Sequence, residues 1–262
     1  MTEEEPIAKA LKLLTESEQE LAAALTSEKT RVRGDLTRKL HDVRRRLYPD
    51  RYRYVSQAGQ DAIVDRLFRS KRGGTFVDVG GYDGFTGSNS YFFEAWRGWS
   101  GVLVEPVPAQ LAKAKADRRC PCLGLAVAAS NGSADFIEVQ QGYTQMSGLA
   151  DSYDPSLLAT VRDRESHAEQ TIKVETRRLS DLLTDQGIEH PDFISLDIEG
   201  GEIDVLSDFP FDRHRVAVWA IENNTGTPEI PRIMRAAGYE LTEFCGPDEI
   251  WRKDDLLPAF ET

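Results

Sequence analysis

An α/β fold on a mostly parallel sheet, with an antiparallel strand at its C-terminal edge and a helical N-terminal arm, is predicted by three observations. Short apolar runs rich in β-branched residues alternate with helical stretches across most of residues 70–240, the rhythm of a parallel sheet with helices on both faces. Several of those runs empty into carboxylates or glycine turns, as strands do where a ligand meets their carboxyl ends. Two further runs, Tyr239 to Phe244 and Glu249 to Arg252, are joined by Cys245-Gly246-Pro247-Asp248 and read as a hairpin.

The 262 residues suit one large domain with an appendage, divided here into an arm at 1–50 and a main domain at 51–262. A hydrophobic content of 40% and a charged content of 29% fit a soluble globular protein. No apolar run approaches the roughly 18 residues of a membrane span. The acidic start, MTEEEPIAKA, lacks a signal-peptide pattern, and Cys120, Cys122 and Cys245 make no disulfide framework or zinc knuckle. A reducing cytoplasm is the expected compartment. The net charge of −12 is uneven: residues 1–28 set two lysines against seven glutamates, whereas residues 29–53 set ten basic residues against three aspartates. The remaining main domain is strongly acidic, which opposes a nucleic-acid partner because phosphate neutralisation needs a basic face.

Taken in order, Ile7, Leu11, Leu14, Leu21 and Leu25 recur at helical spacing, and Leu36, Leu40, Val43 and Leu47 resume the stripe past Gly34. One or two amphipathic helices follow, with Gly34 as the expected break. The stripe either packs on its own domain or serves as a homo-oligomerisation arm. Pro49 ends the helix, and Ser56 or Gly59 caps the next one, over residues 62–68. Then comes TFVDVGGYDG at 75–84, a buried strand running into Gly80-Gly81 and Gly84. Strand, glycine turn and helix turn backbone N–H groups toward a ligand. Asp78 and Asp83 in that turn would repel a pyrophosphate but accept hydrogen bonds from an ammonium group or ribose hydroxyls. An amino-acid nucleoside such as S-adenosylmethionine (SAM) fits better than NAD or ATP, since the GxGxxG fingerprint is absent.

Gly87-Ser88-Asn89-Ser90 caps a helix expected through Trp96, and residues 101–106 form a second strand ending on Glu105. Glu105 lies close to the spacing at which an acidic strand end meets ribose hydroxyls. Residues 109–116 read as helix, 122–128 as a third strand and 134–139 as an edge strand. Residues 140–168 form a polar insertion of the kind that makes lids or substrate walls, with Tyr143, Met146, Tyr153 and His167 as its handles. A strand at 172–178 and a helix at 179–184 come next. Phe193 to Leu196 then empties into Asp197-Ile198-Glu199-Gly200-Gly201-Glu202, and Val216 to Ile221 into Glu222-Asn223-Asn224. Residues 228–237 form the last helix.

FVDVGGYDG, SNS, GVLVEP and FISLDIEGGE, with SQAGQD upstream and AIENN downstream, resemble the FkbM family of SAM-dependent O-methyltransferases over roughly residues 54–253. The resemblance implies a Rossmann-like class I methyltransferase sheet. It implies that Asp78, Gly80, Asp83 and Gly84 hold the methionine end of SAM, with Ser88 and Asn89 beside it. Glu105 would take both ribose hydroxyls, Ala126 and Val127 would line the adenine, and Asp197 would face the transferable methyl. Gln57 and Pro106 are counted with these cofactor-binding residues, although spacing derives no lid role for Gln57. An alcohol acceptor also needs its proton removed by a base or by a metal that lowers its pKa. Asp197, Glu222 and Asn223 form an oxygen set of the type that suits Mg²⁺, the alternative being that Glu222 and Asn223 merely cap local structure. Without a metal, Asp197, Glu199 or His167 is the candidate base. The expected acceptor is a hydroxyl of a small molecule or sugar. An RNA or protein methyltransferase and a noncatalytic scaffold are the competing readings, the first resting on the basic stretch at 29–53 alone.

Overall fold

The structure is a computed structural model describing residues 4–258; residues 1–3 and 259–262, the outer ends of the arm and of the main domain, lie outside the described residues. Helices α1 (Glu4–Ser27) and α2 (Val32–Leu47) precede α3 (Gln60–Leu67). The main sheet begins with β1 (Thr75–Val79) and β2 (Ser100–Val104), followed by α4 (Pro108–Asp117) and the two-residue strands β3 (Cys122–Leu123) and β4 (Ala126–Val127). Next come β5 (Gly132–Gln141), β6 (Gly148–Leu149), α5 (Pro155–Arg162), β7 (Ala168–Arg177) and α6 (Leu179–Asp185). The chain continues through β8 (Phe193–Leu196), α7 (Glu202–Asp208), β9 (Val218–Ile221), α8 (Glu229–Ala236), β10 (Glu240–Cys245) and β11 (Asp248–Arg252).

Seven strands form the main sheet in the order β10-β11-β9-β8-β1-β2-β3. β1, β2, β3, β8 and β9 are parallel, and β11 runs antiparallel between β9 and the outermost β10. Both faces are buried, so apolar residues occupy both parities of each strand. Phe76 and Phe193 pair in register and pack on one side with Val64, Phe68, Phe93 and Trp99. Val77 and Ile194, one position on, face the opposite core with Leu182, Leu206, Trp219 and Trp251. Each such side chain, fully buried, contributes about 2 kcal/mol.

Four expectations are corrected. The single sheet is two: β4, β7, β5 and β6 form a separate four-stranded sheet, built on the long antiparallel pairing of β5 with β7. The apolar run at 122–128 therefore splits, β3 joining the main sheet and β4 the second. The insertion at 140–168 carries β6 and α5, the latter capped by Asp154, whose carboxylate accepts from Ser156 N and Leu157 N, both at 2.9 Å. The helix expected after Ser88 is present at 91–97 and capped by Ser88 Oγ, which accepts from Tyr91 N at 3.0 Å, but it is π-helical over Phe93–Arg97.

Gly34 does not break the arm, which turns at residues 28–31 instead. It lies inside α2 because a Cβ there would stand 2.0 Å from the Gly246 carbonyl oxygen, and Gly246 N donates to Gly34 O at 2.9 Å. α2 is thus seated on the β10–β11 turn, with Thr37, Leu40 and His41 buried beneath it. Arg33 forks onto Glu243, Arg31 pairs with Glu249, and Arg44 and Tyr48 hold Glu18 of α1.

Candidate active site

The sheet register builds the site. Val104, Val79, Leu196, Ile221 and Glu249 form one row across β2, β1, β8, β9 and β11. The next residue beyond that row on each strand is Glu105, Gly80, Asp197, Glu222 or Asp248, so a local strand-end pattern becomes one line of groups. All five border a single cavity of about 370 Å³. Gly80 has to be glycine: its φ is +80°, and a Cβ would stand 1.7 Å from the Asp197 carbonyl oxygen. That close approach joins the two halves of the cavity.

One half surrounds Asp78 and Glu105. The Asp78 carboxylate accepts from Ser88 Oγ at 3.2 Å and from Ser90 Oγ, with the guanidinium of Arg118 at 3.8 Å. Arg118 is fully buried and also donates to Glu94 at 2.7 Å, Ser90 Oγ at 2.9 Å and the Gly84 carbonyl at 3.1 Å. One arginine thus ties the glycine turn to the helix behind it. Glu105 accepts from Tyr82 N at 2.9 Å and Val107 N at 2.7 Å. Burial pushes its carboxyl up to about 7, against the lowering effect of those two N–H groups. Its two oxygens keep lone pairs free for hydroxyl donors. Tyr82, left-handed at φ +49°, sends its hydroxyl to Thr144 Oγ1 at 2.7 Å and fastens the 143–147 segment over this half.

The other half is crowded with carboxylates. Asp197, Glu199 and Glu222 each offer an oxygen within 4.8 Å of the others. Asp248 is buried beside them and accepts from Gln60 Nε2 at 2.9 Å. Burial first, and then the mutual repulsion of these carboxylates, raises Asp197 to about 8 and holds Glu199 and Glu222 well above the ordinary range. Glu199 is held left-handed at φ +61° by its loop, which Glu202 braces by accepting from Ile198 N and Gly200 N at 2.9 and 3.0 Å. A bulky residue in that region is a strain that surrounding structure must impose.

Of the residues expected at the site, Gln57, Asp78, Gly80, Ser88, Asn89, Glu105, Pro106, Ala126, Val127, Asp197, Glu199 and Glu222 line the cavity. Asp83, Gly84, Asn223 and His167 do not. Asp83 is spent on the turn, accepting from Phe85 N, Thr86 N and Thr86 Oγ1; Gly84 packs its α-carbon against Ala114 and Arg118. The Asn223 amide is engaged by Thr227 and Glu249, so the oxygen set gathers Glu199 in its place. His167 sits 2.8 Å from Glu169, away from the cavity lining. Asp248, Ser195, Arg118, Arg38 and Thr144 were missed. Asp248 alone had a usable signal, because a hairpin returning beside β9 must start at the level of Glu222.

The profile of the methyltransferase FkbM domain matches residues 78–241, well over half of the chain. No curated protein is significantly similar to it. Among solved structures, a methyltransferase FkbM from Methylobacillus flagellatus KT aligns at 13% identity and a TM-score of 0.46, over 91% of this chain. This chain spans only 58% of the length of that one. The N-terminal domain of human METTL16 in complex with SAH aligns at 12% identity and 0.39, covering 84% of this chain and 80% of that one. A TehB-like SAM-dependent methyltransferase from Corynebacterium glutamicum aligns at 13% and 0.38, covering 75% and 88%. The family match coincides with the strands that carry Asp78, Glu105, Asp197 and Glu222, and the chain belongs to the FkbM family of SAM-dependent methyltransferases.

Proposed function

We propose that this enzyme methylates a hydroxyl of a small molecule or sugar, with a divalent cation such as Mg²⁺ at Asp197, Glu199 and Glu222. The observation that carries this reading is the continuity of one cavity from Glu105 to those three carboxylates. SAM, when bound, supplies an electrophilic methyl on a sulfonium. Glu105 would accept the ribose hydroxyls and Asp78 the ammonium, each already oriented by its own hydrogen bonds. Positioning is most of what an in-line displacement requires. Without a metal, Asp197, which lines the cavity in line with Glu105 and Glu222, would take the hydroxyl proton as the methyl arrives. The donor set fits Mg²⁺ chemically: all ligands are hard oxygens, and a cation would offset their repulsion and acidify a nearby hydroxyl.

The basic stretch at 29–53, the support for a nucleic-acid substrate, is partly spent inside the molecule, since Arg31, Arg33 and Arg44 are paired with Glu249, Glu243 and Glu18. We keep self-association through α1 as part of the proposal, because Ile7, Leu11 and Leu13 remain exposed on that helix. The arm and main domain at 1–50 and 51–262 are retained as units of function, and the cytoplasm as the compartment. Among the described residues no helix is long and apolar enough to cross a membrane.

The test is methyl transfer from SAM to a panel of hydroxyl- and amine-bearing sugars and small molecules with and without Mg²⁺, read by mass spectrometry. Methylated hydroxyls are expected, with turnover falling about hundredfold in Asp197→Asn while the affinity for S-adenosylhomocysteine (SAH) stays within about threefold. Methylation confined to amines, or to added RNA, would replace this reading.

A further inference from the structure

Among the described residues that line the cavity, acidic side chains dominate: Asp78, Glu105, Asp197, Glu199, Glu222 and Asp248. One basic side chain lines it, Arg38, and it comes from α2 of the arm rather than from the sheet. Its position is built, not incidental. Gly34, one turn earlier on α2, is locked against Gly246, and Arg31 reaches Glu249 and the carbonyls of Asn223, at 2.7 Å, and Pro247, at 3.0 Å. The arm is therefore anchored to the turn that delivers Pro247 and Asp248 to the cavity wall. Arg38 is half-exposed, its side chain 52% accessible, and its partner is Asp35 of its own helix at 2.6 Å. An exposed i,i+3 pair of this kind is worth little and is readily exchanged for a ligand.

We propose that Arg38 receives an anionic group, a carboxylate or a phosphate, on the acceptor, so that the acceptor is a hydroxyl compound carrying such a group. The inference rests on the methyltransferase reading above and adds the acceptor's chemistry to it. An anionic substituent finds acidic side chains around most of the lining and one basic partner, the Arg38 guanidinium, whose planar fork matches carboxylate and phosphate oxygens. That fixes orientation: anion toward the arm, hydroxyl toward Asp197. The arm thereby acts as a specificity wall of the active site.

The experiment uses the full chain saturated with SAH and titrated calorimetrically, in a phosphate-free buffer, with glucose, glucuronate and glucose 6-phosphate. The wild type is expected to bind at least one of the two anionic sugars about tenfold more tightly than glucose, and the preferred one separates carboxylate from phosphate. Arg38→Gln should erase that preference, and Asp35→Asn, which frees the guanidinium, should enlarge it about threefold. SAH titration of each variant verifies folding. Equal binding of all three sugars, binding of none, or a preference that survives in Arg38→Gln would overturn the inference. A wild type that fails to bind SAH would instead overturn the site reading on which it depends.

Discussion

The two halves of the cavity solve opposite electrostatic problems. Around Asp78 and Glu105, polar groups are paired before any ligand arrives: Asp78 with Ser88, Ser90 and Arg118, and Glu105 with two backbone N–H groups. Around Asp197, Glu199, Glu222 and Asp248, four carboxylates share a buried wall where the nearest compensation is amides, Gln60 on Asp248 and Asn224 on Glu199 at 3.3 Å. A satisfied half is rigid and specific. A half crowded with like charge holds protons or calls for a cation. On the proposed reading, the contrast separates the part that binds the cofactor from the part where the methyl is transferred.

The comparison is broken most severely at Arg118. Arg118→Leu leaves Asp78 and Glu94 buried without their cation, and a loss of about 3–5 kcal/mol is expected by denaturant unfolding. A loss below about 1 kcal/mol would mean that the cofactor half is not pre-ordered as described. Next in size is Glu105→Ala. On the proposed reading it would remove two charge-assisted hydrogen bonds to ribose, so the SAH affinity measured by calorimetry should fall between tenfold and about hundredfold. An unchanged affinity would place the ribose elsewhere.

The third effect is spread over pH rather than over a mutation, as a slope in stability. Glu105, raised to about 7, and Asp61, a buried carboxylate in the first turn of α3 that accepts from Val55 N at 2.7 Å and is raised to about 6, both owe their shift first to burial. Each holds a proton in the folded state that the unfolded chain has already released. Stability from these groups is therefore fully present below about pH 4 and is lost as pH rises to about 7, at up to about 1.4 kcal/mol per pH unit per proton. Melting temperature of the ligand-free protein should decline from pH 5 to 7.5, and Glu105→Gln should flatten the upper part of that decline. A melting temperature that climbs over this range would reverse the assignment.

Legibility followed the range of the interactions. The strand at 75–79 and its glycine turn declare themselves within ten residues, because β-branched burial and left-handed glycine are local requirements. Glu105, Asp197 and Glu222 were legible for the same reason, each ending its own apolar run. Asp83 had the same look and a different use, since only the folded turn shows its oxygens taken by Phe85 and Thr86. Arg118 carried no signal: one of two adjacent arginines after a helix becomes central only when the chain returns Asp78, Glu94 and Gly84 to it. Gly34 was read as a helix break because glycine lowers helix propensity, but the Gly246 carbonyl needed the space of a missing side chain.

By itself, then, the sequence determined the parallel α/β sheet, the hairpin at its edge and the acidic strand ends Asp78 and Glu105 of one half of the cavity, which lie within one strand-turn unit or at a strand's own end. Tertiary structure decided the second sheet, the replacement of Asn223 by Glu199 in the carboxylate set, the arrival of Asp248, and Arg38 on the cavity wall. These depend on strand register and on which surfaces meet. Residues far apart in sequence, such as Gly34 and Gly246, become neighbours only when the arm closes on the hairpin.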